Sequence, residues 1–429
     1  MTYNWQALDK TYCWHPFTQQ EEWEQSDPLV ITSGKGVWLT DSDGKQYIDA
    51  NSSIWTNIHG HQHPVINEAV KAQLDQVAHT SYLGFANPRA SELAERLCLF
   101  FPAKTLERVF FSDDGSTAVE AAIKMAIQYR IQSGEPERTN FIAFDHAYHG
   151  DTMGAASLGG VDAFTDRFKK FGLHTSHIRS IDELKGLDKS ILNKTAAVII
   201  EPLVQGVNQI HVWEKGMLRE LRAWCDQHDI MLILDEVLTG FGRTGSMFAC
   251  QQEGVTPDFL CLAKGLTGGY LPLAATLTTR KVYNAFLGSR EKTFYYGHSY
   301  TANPLGCATA LANLDVFEKE KTIDGLPAKV NQLSRALEIL ERQYDEVYEV
   351  RQCGMIIGIE LRDAEGKKFP VSDRVGEKFC HQARSYQLLT RPILDTIVLI
   401  PPLSITADEI THLCQAIEST LSKLFFKSK

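Results

Sequence analysis

An acid and an amine end two successive apolar runs of the sequence. Asp235 follows residues 230–234, and Lys264 follows residues 259–263. A lysine amine can form a Schiff base with an aldehyde, and a carboxylate can keep a pyridine nitrogen protonated, so that the ring accepts electrons. Taken alone, each residue is better explained as structural, Asp235 as a turn cap and Lys264 as a lysine with its stem buried. The pair together predicts pyridoxal phosphate, held at both ends of its ring.

A candidate phosphate site lies at residues 113–117, between the apolar run 108–111 and a segment with helical spacing. The first N–H groups of a helix and its dipole attract anions. Gly115 would let a phosphate approach the backbone, and Ser116 would add a hydroxyl donor. On its own this pattern is more often a plain helix cap. Beside the acid and amine, it predicts the phosphate end of the same cofactor.

A flat cofactor also needs an aromatic face, and Tyr148 follows the apolar run 141–144 closely enough to stack on the ring. In the same loop, His146, His149 and Asp151 resemble metal ligands. We expect no metal site there, because one loop does not supply a complete tetrahedral ligand set.

Composition indicates a globular enzyme. A chain of 429 residues, 44% hydrophobic and 22% charged, can bury more than one core, which predicts two domains. A net charge of −10 without any basic block argues against a nucleic-acid partner. The nine cysteines are scattered without CxxC spacing, the first residues lack signal-peptide features, and no apolar run reaches the ~20 residues of a membrane helix. These features predict a cytoplasmic protein that does not enter a membrane.

Residues 64–314 alternate helical spacing with short apolar runs. Such runs are typical of a mostly parallel sheet covered by helices on both faces. The predicted strands are residues 108–111, 141–144, 197–200, 230–234, 259–262 and 273–278. We therefore expect a large α/β domain over residues 64–314.

The two ends of the chain have a different pattern. Three short strands, with a tight turn at Asp43-Gly44 between the last two, are expected at residues 29–31, 36–40 and 46–49. Beyond residue 315, helical spacing around Leu333 precedes a strand at residues 355–361, a hairpin-like segment at 388–399, and a closing helix that starts at Thr406 with a capping box to Glu409. We expect residues 1–63 and 315–429 to form one small α+β domain.

In order along nearly the whole chain, several strings resemble those of class III pyridoxal-phosphate aminotransferases of fold type I. They are Gly115-Ser116, Tyr148-His149-Gly150, Glu201-Pro202, residues 235–245 and Ala263-Lys264-Gly265. The resemblance implies a seven-stranded, mostly parallel sheet in the large domain and an aminotransferase acting on small molecules.

Within that class, further strings are similar to the biotin-biosynthesis subfamily that aminates 8-amino-7-oxononanoate to 7,8-diaminononanoate. They are residues 14–19, 52–55, 58–61, 297–301 and 390–392. The resemblance also implies a homodimer with active sites at the subunit interface. Ser299, beside Gly297 and His298, would reach the cofactor phosphate of the other subunit.

For the substrate, the resemblance assigns Arg391 to a carboxylate, and a guanidinium fork is suited to bind one with two hydrogen bonds. Arg391 could otherwise be a surface residue at a strand end. Phe17, Ile54 and Trp55 would line the pocket of a long aliphatic chain, although Phe17 and Trp55 could be simple core.

The sequence departs from relatives that use ornithine or 4-aminobutyrate, many of which carry Gln where this chain has Leu238 and Glu where it has Val207. Without that acid, Arg391 stays available to a carboxylate. Relatives that use S-adenosylmethionine usually carry Tyr at the position of Phe17 and two Trp at Ile54-Trp55. S-adenosylmethionine is the expected amino donor by family frequency, and lysine is the alternative.

Two other classes of function are compatible with the fold. The same cofactor site supports decarboxylation, racemisation and condensation in other enzymes. A non-catalytic regulator could also use the fold, but no basic helix-turn-helix segment precedes Trp14.

Overall fold

The computed structural model describes residues 3–425, and a seven-stranded sheet forms its centre. All neighbouring strands run parallel except Ala274–Thr279, which is antiparallel to both of its neighbours. In sheet order, the strands are Leu106–Ser112, Ala274–Thr279, Phe259–Leu262, Met231–Asp235, Thr195–Ile200, Asn140–Phe144 and Thr175–Ile178. The predicted large, mostly parallel sheet is confirmed.

Helices cover both faces of this sheet. Side chains of Met231–Asp235 alternate between two buried clusters, so that Ile233 packs towards the helix Gly115–Gln132 and Leu232 packs on the opposite face. Because both faces are apolar, the strand carries no polar alternation. Other helices of this region are Pro64–Leu74, Pro88–Leu99, Met153–Leu158, Asp162–Thr165, Ile181–Lys185, Lys189–Leu192, Met217–Gln227, Arg280–Ala285 and Pro304–Lys319.

The two chain ends share a second sheet. The strands Ile31–Lys35, Trp38–Asp41 and Gln46–Asp49 form an antiparallel meander, and Leu388–Leu389 adds in parallel to the last of them. The predicted turn at Asp43-Gly44 is confirmed, with Gly44 at φ 82°. Expected strands at residues 29–31 and 36–40 were misplaced, because Lys35 pairs with Trp38 and residues 36–37 form the turn between them.

A third sheet is antiparallel and comes from the C-terminal segment. Its strands are, in order, Val347–Cys353, Ile356–Leu361, Thr396–Leu399 and Arg391–Ile393. The helices Thr322–Gln343 and Ala407–Phe425 pack together beside it. The predicted capping box is present, since the Glu409 carboxylate accepts from Thr406 N–H at 2.8 Å. The division into residues 1–63, 64–314 and 315–429 stays a prediction.

The sequence did not predict the two short helices Trp5–Tyr12 and Gln20–Gln25, which precede the meander. Asn4 caps the first of them by accepting a hydrogen bond from Ala7 N–H. Within residues 3–425, no helix is both long and apolar enough to cross a bilayer.

Candidate active site

A cleft of about 400 Å³ lies where the strands of the central sheet end. Parallel strands bring the residues that follow them to one edge of a sheet, which is where α/β proteins bind ligands. The structure brings seven of the predicted site residues together in the lining of this cleft: Ile54, Trp55, Gly115, Ser116, Tyr148, Asp235 and Lys264.

The Asp235 carboxylate is buried and held from two sides. One oxygen lies 2.8 Å from His149 Nδ1, and the other accepts a hydrogen bond from Val237 N–H at 3.1 Å. His149, considered from the sequence only as a metal ligand, therefore contacts the acid instead. A carboxylate fixed in this way can accept a hydrogen bond from a protonated ring nitrogen.

The Lys264 amine lies 4.8 Å from the centre of the Trp55 ring. Burial lowers the pKa of Lys264, although the Asp235 and Glu201 carboxylates oppose that shift. A lowered pKa increases the fraction of neutral amine, the form that attacks a carbonyl or accepts a proton.

Three of the predicted site residues have left-handed backbone conformations that side chains rarely adopt: Phe17 at φ 52°, Trp55 at φ 68° and Lys264 at φ 42°. Each such conformation costs roughly 1–3 kcal/mol and persists only where the surrounding structure imposes it. Their clustering among the site residues indicates that packing has fixed the site geometry.

The helix Gly115–Gln132 points its N-terminus into the cleft. Asp114 caps it by accepting from Thr117 N–H at 2.9 Å, and the first N–H groups of a helix have no partner within it. A Cβ on Gly115 would lie 2.7 Å from Val237 Cγ1, and one on Gly150 only 2.2 Å from Ser116 Oγ. The two glycines therefore allow the helix and the loop to approach closely enough to form this anion site.

Tyr148 is fixed by contacts at both its hydroxyl and its backbone. The hydroxyl donates to the Asp151 carboxylate, and Tyr148 N–H donates to Glu201 Oε1 at 3.2 Å. Burial, reinforced by Asp151, raises the pKa of Tyr148, so the side chain stays a neutral phenol. Glu201 also accepts from Gly206 N–H at 2.9 Å and thus joins two loops that line the cleft.

Burial raises the pKa of Glu201 to about 7 from an ordinary value of 4.5. Between these values the unfolded chain loses the proton while the folded chain retains it, so stability falls as pH rises. The loss is on the order of 3 kcal/mol across that window. We predict that Glu201→Gln gains stability relative to wild type between pH 5 and pH 8. Thermal unfolding of the cofactor-free proteins measures this, and a stability difference that is the same at both pH values would contradict it.

Five predicted residues lie outside the lining of this cleft. Phe17 and Arg391 line a second cavity of about 980 Å³, where Arg391 is exposed and forms no ion pair with any residue between 3 and 425. Gly297 and Ser299 are exposed, whereas His298 is half-buried with Nδ1 2.9 Å from the carboxylate of Asp113, a residue of the cleft.

The cleft is also lined by four residues for which the sequence predicted no role there: His149, Glu201, Val237 and Leu238. The sequence could have indicated Val237 as a residue of the cleft, because it lies two positions beyond Asp235 at the end of the same strand. Leu238 packs beside Trp55 over Gly206, where a Cβ would lie 2.5 Å from Leu238 Cδ2. No local signal indicated this packing.

The chemistry of the cleft fits pyridoxal phosphate. A buried carboxylate suits the ring nitrogen, an amine of lowered pKa suits the aldehyde, and a helix N-terminus suits the phosphate. Tyr148 and Val237 add aromatic and apolar surface for the ring.

Comparison with known proteins agrees with this geometry. Residues 19–421 match the family model Aminotransferase class-III. The adenosylmethionine-8-amino-7-oxononanoate aminotransferase of Geobacter sulfurreducens is 47% identical, over 96% of each chain. The crystal structure of the enzyme of that name from Methanocaldococcus jannaschii aligns with a TM-score of 0.95 at 40% identity, covering 98% of this chain and 99% of that chain.

An amine transaminase from an uncultivated Pseudomonas species, solved in its pyridoxal-phosphate-bound form, aligns with a TM-score of 0.91 at 36% identity, covering 96% of this chain and 98% of that chain. These matches confirm fold type I, the cofactor and an enzyme that acts on small molecules. The chain belongs to the class III aminotransferases.

Proposed function

We propose that this enzyme aminates 8-amino-7-oxononanoate to 7,8-diaminononanoate in biotin biosynthesis. The observation that carries the proposal is an exposed Arg391, without an ion-pair partner among residues 3–425, in a cavity that it shares with the apolar side chain of Phe17. An acceptor with a carboxylate at the end of an aliphatic chain needs both features. Curated relatives that share 35–47% identity with nearly the whole chain carry the name of this activity.

When bound, pyridoxal phosphate supplies an aldehyde that condenses with amines and a ring that accepts an electron pair. Lys264 would hold the aldehyde and then accept the proton from the carbon that bears the donor nitrogen. Asp235 would keep the ring nitrogen protonated, and Tyr148 would cover one ring face. Gly115 and Ser116 would bind the phosphate.

The substrate side of the site would be formed by Ile54 and Trp55 in the cleft and by Phe17 and Arg391 in the second cavity. The half-buried Trp55 ring lies beside the Lys264 amine, which is where the reacting carbon would be. These apolar walls would exclude water around the aliphatic chain of the acceptor.

The active enzyme in this proposal is a cytoplasmic homodimer of two-domain subunits. Large exposed side chains on either side of residues 297–299 support an interface there, because Tyr295 and Tyr300 are 81% and 59% exposed. Ser299, with Gly297 and His298, would reach across that interface to the cofactor phosphate of the other subunit.

The amino donor in this proposal is S-adenosylmethionine, with lysine as the alternative. A second candidate function, that of another class III omega-amino acid or diamine aminotransferase, draws support from the similarity to a solved (S)-enantioselective omega-transaminase at 32% identity. Assays of the purified enzyme with 8-amino-7-oxononanoate and with simple oxo acids, each against S-adenosylmethionine, lysine and other amines, separate these possibilities.

The variant Arg391→Ala tests whether Arg391 binds the carboxylate of the acceptor. Loss of a charge-assisted, two-pronged contact of roughly 2–4 kcal/mol should lower kcat/KM for 8-amino-7-oxononanoate by roughly 30- to 1,000-fold. An acceptor of similar length without the carboxylate should already have a low kcat/KM with wild type. The mutation should barely change that value.

Arg384→Ala is a matched control, because Arg384 lines the same cavity but the proposal gives it no contact with substrate. Measuring both acceptors with each protein completes a thermodynamic cycle. If Arg391→Ala lowers kcat/KM equally for the two acceptors, Arg391 is a structural residue. The proposal would then lack a residue that binds the substrate carboxylate.

A further inference from the structure

An aromatic side chain that belongs to neither cavity lining links the cleft to the second cavity. The Phe164 ring contacts Tyr148 of the cleft, with ring centres 5.9 Å apart, and Phe17 of the second cavity, with ring centres 5.4 Å apart. Both contacts are edge-to-face. Phe164 is therefore the middle of a continuous aromatic track from one cavity to the other.

We propose that Phe164 determines acceptor specificity by supporting the aliphatic chain of the substrate between its reacting end and its carboxylate. This inference rests on the proposed function, which places the reacting end near Lys264 in the cleft and the carboxylate near Arg391 in the second cavity. A substrate bound at both places must pass between them, and the ring contacts of Phe164 connect a residue of one cavity with a residue of the other.

The exposure of the track supports this role. Phe164 is 37% exposed and Phe17 is 62% exposed, so apolar ring surface is available to a ligand. Covering such surface with methylene groups is favourable, because it removes apolar area of both ring and chain from water. An edge-to-face pair also leaves ring faces free for aliphatic contacts.

Phe164 is held on the short helix Asp162–Thr165, whose following residues carry other exposed rings. Phe168 is 52% exposed, and no ring contact is found for it within the described part of the chain. It therefore provides a matched control, because Phe168→Ala removes an equally large ring from the same segment without touching the track.

The experiment compares two acceptors that share the reacting group but differ in the chain. 8-Amino-7-oxononanoate carries the full aliphatic chain and carboxylate, and 3-amino-2-butanone carries only the amino ketone. For Phe164→Ala, kcat/KM should fall about 5- to 30-fold with the long acceptor and less than about 2-fold with the short one. Phe164→Leu should recover most of the loss, and Phe168→Ala should leave both values unchanged.

Failure of this inference is distinguishable from failure of the proposed function. If wild type does not aminate 8-amino-7-oxononanoate, the proposed function is wrong and the inference falls with it. If wild type is active but Phe164→Ala loses nothing, or loses equally with both acceptors, only the inference is overturned. Visible absorbance of the bound cofactor and circular dichroism verify that each variant is folded. If the alanine variant does not fold, Phe164→Gln supplies the same comparison, because glutamine also removes the apolar ring.

Discussion

Replacing Lys264 with alanine will abolish multiple-turnover transamination while the fold stays intact. The amine is the candidate attachment point for the cofactor and the candidate proton carrier, and burial lowers its pKa as both roles require. We expect kcat to fall by at least about 10⁴-fold and the visible absorbance of the lysine-bound cofactor to disappear. Steady-state assays and absorbance spectra of the purified variant measure both effects.

Lys329→Ala is the matched control for this prediction. Lys329 is also a partly buried lysine whose pKa burial lowers, but its amine donates to the Leu403 carbonyl away from the cleft. The control variant should keep its cofactor spectrum and most of its activity. Substantial multiple-turnover transamination by Lys264→Ala would show that another group carries the proton.

Asp235→Asn will keep binding the cofactor but will lose most of its rate. A neutral amide cannot hold the ring nitrogen protonated, and the electron-accepting character of the ring depends on that proton. We expect kcat to fall roughly 10²- to 10⁴-fold. The hydrogen bond from Val237 N–H can still be accepted by the amide oxygen, so the loop should keep its position.

Asp258→Asn separates this effect from the general loss of a partly buried carboxylate beside the sheet. Asp258 precedes the next strand of the sheet, Phe259–Leu262, and it pairs with Arg222 at 2.9 Å outside the cleft. Its variant should lose stability but retain kcat. An unchanged kcat in Asp235→Asn would mean that Asp235 only positions His149.

The sequence predicted the parts of the fold in which burial alone determines the pattern. Strands of the central sheet such as Thr195–Ile200 are buried along their length, so their apolar runs are unmistakable. Thr175–Ile178 was missed because it lies at the sheet edge, is partly exposed and contains polar residues. Val347–Cys353 was missed for a similar reason, since most of its residues are polar or exposed.

The candidate site likewise contains residues that the sequence predicted and contacts that it did not predict. Asp235 and Lys264 were predictable because Asp235 ends one buried strand and Lys264 follows another, and strand ends of a parallel sheet meet at one edge. The contacts that fix Asp235 and Tyr148 were not, because His149 and Glu201 lie 86 and 53 residues from their respective partners along the chain. Such contacts depend on tertiary packing, which no local pattern encodes.

The most direct test of the account is product analysis with the intact enzyme. Purified protein, saturated with pyridoxal phosphate, is incubated with 8-amino-7-oxononanoate and either S-adenosylmethionine or lysine, and the products are identified by mass spectrometry. We expect 7,8-diaminononanoate with at least one of these donors and not without a donor. Absence of that product from both reactions, while the same enzyme aminates simple oxo acids, would contradict this expectation.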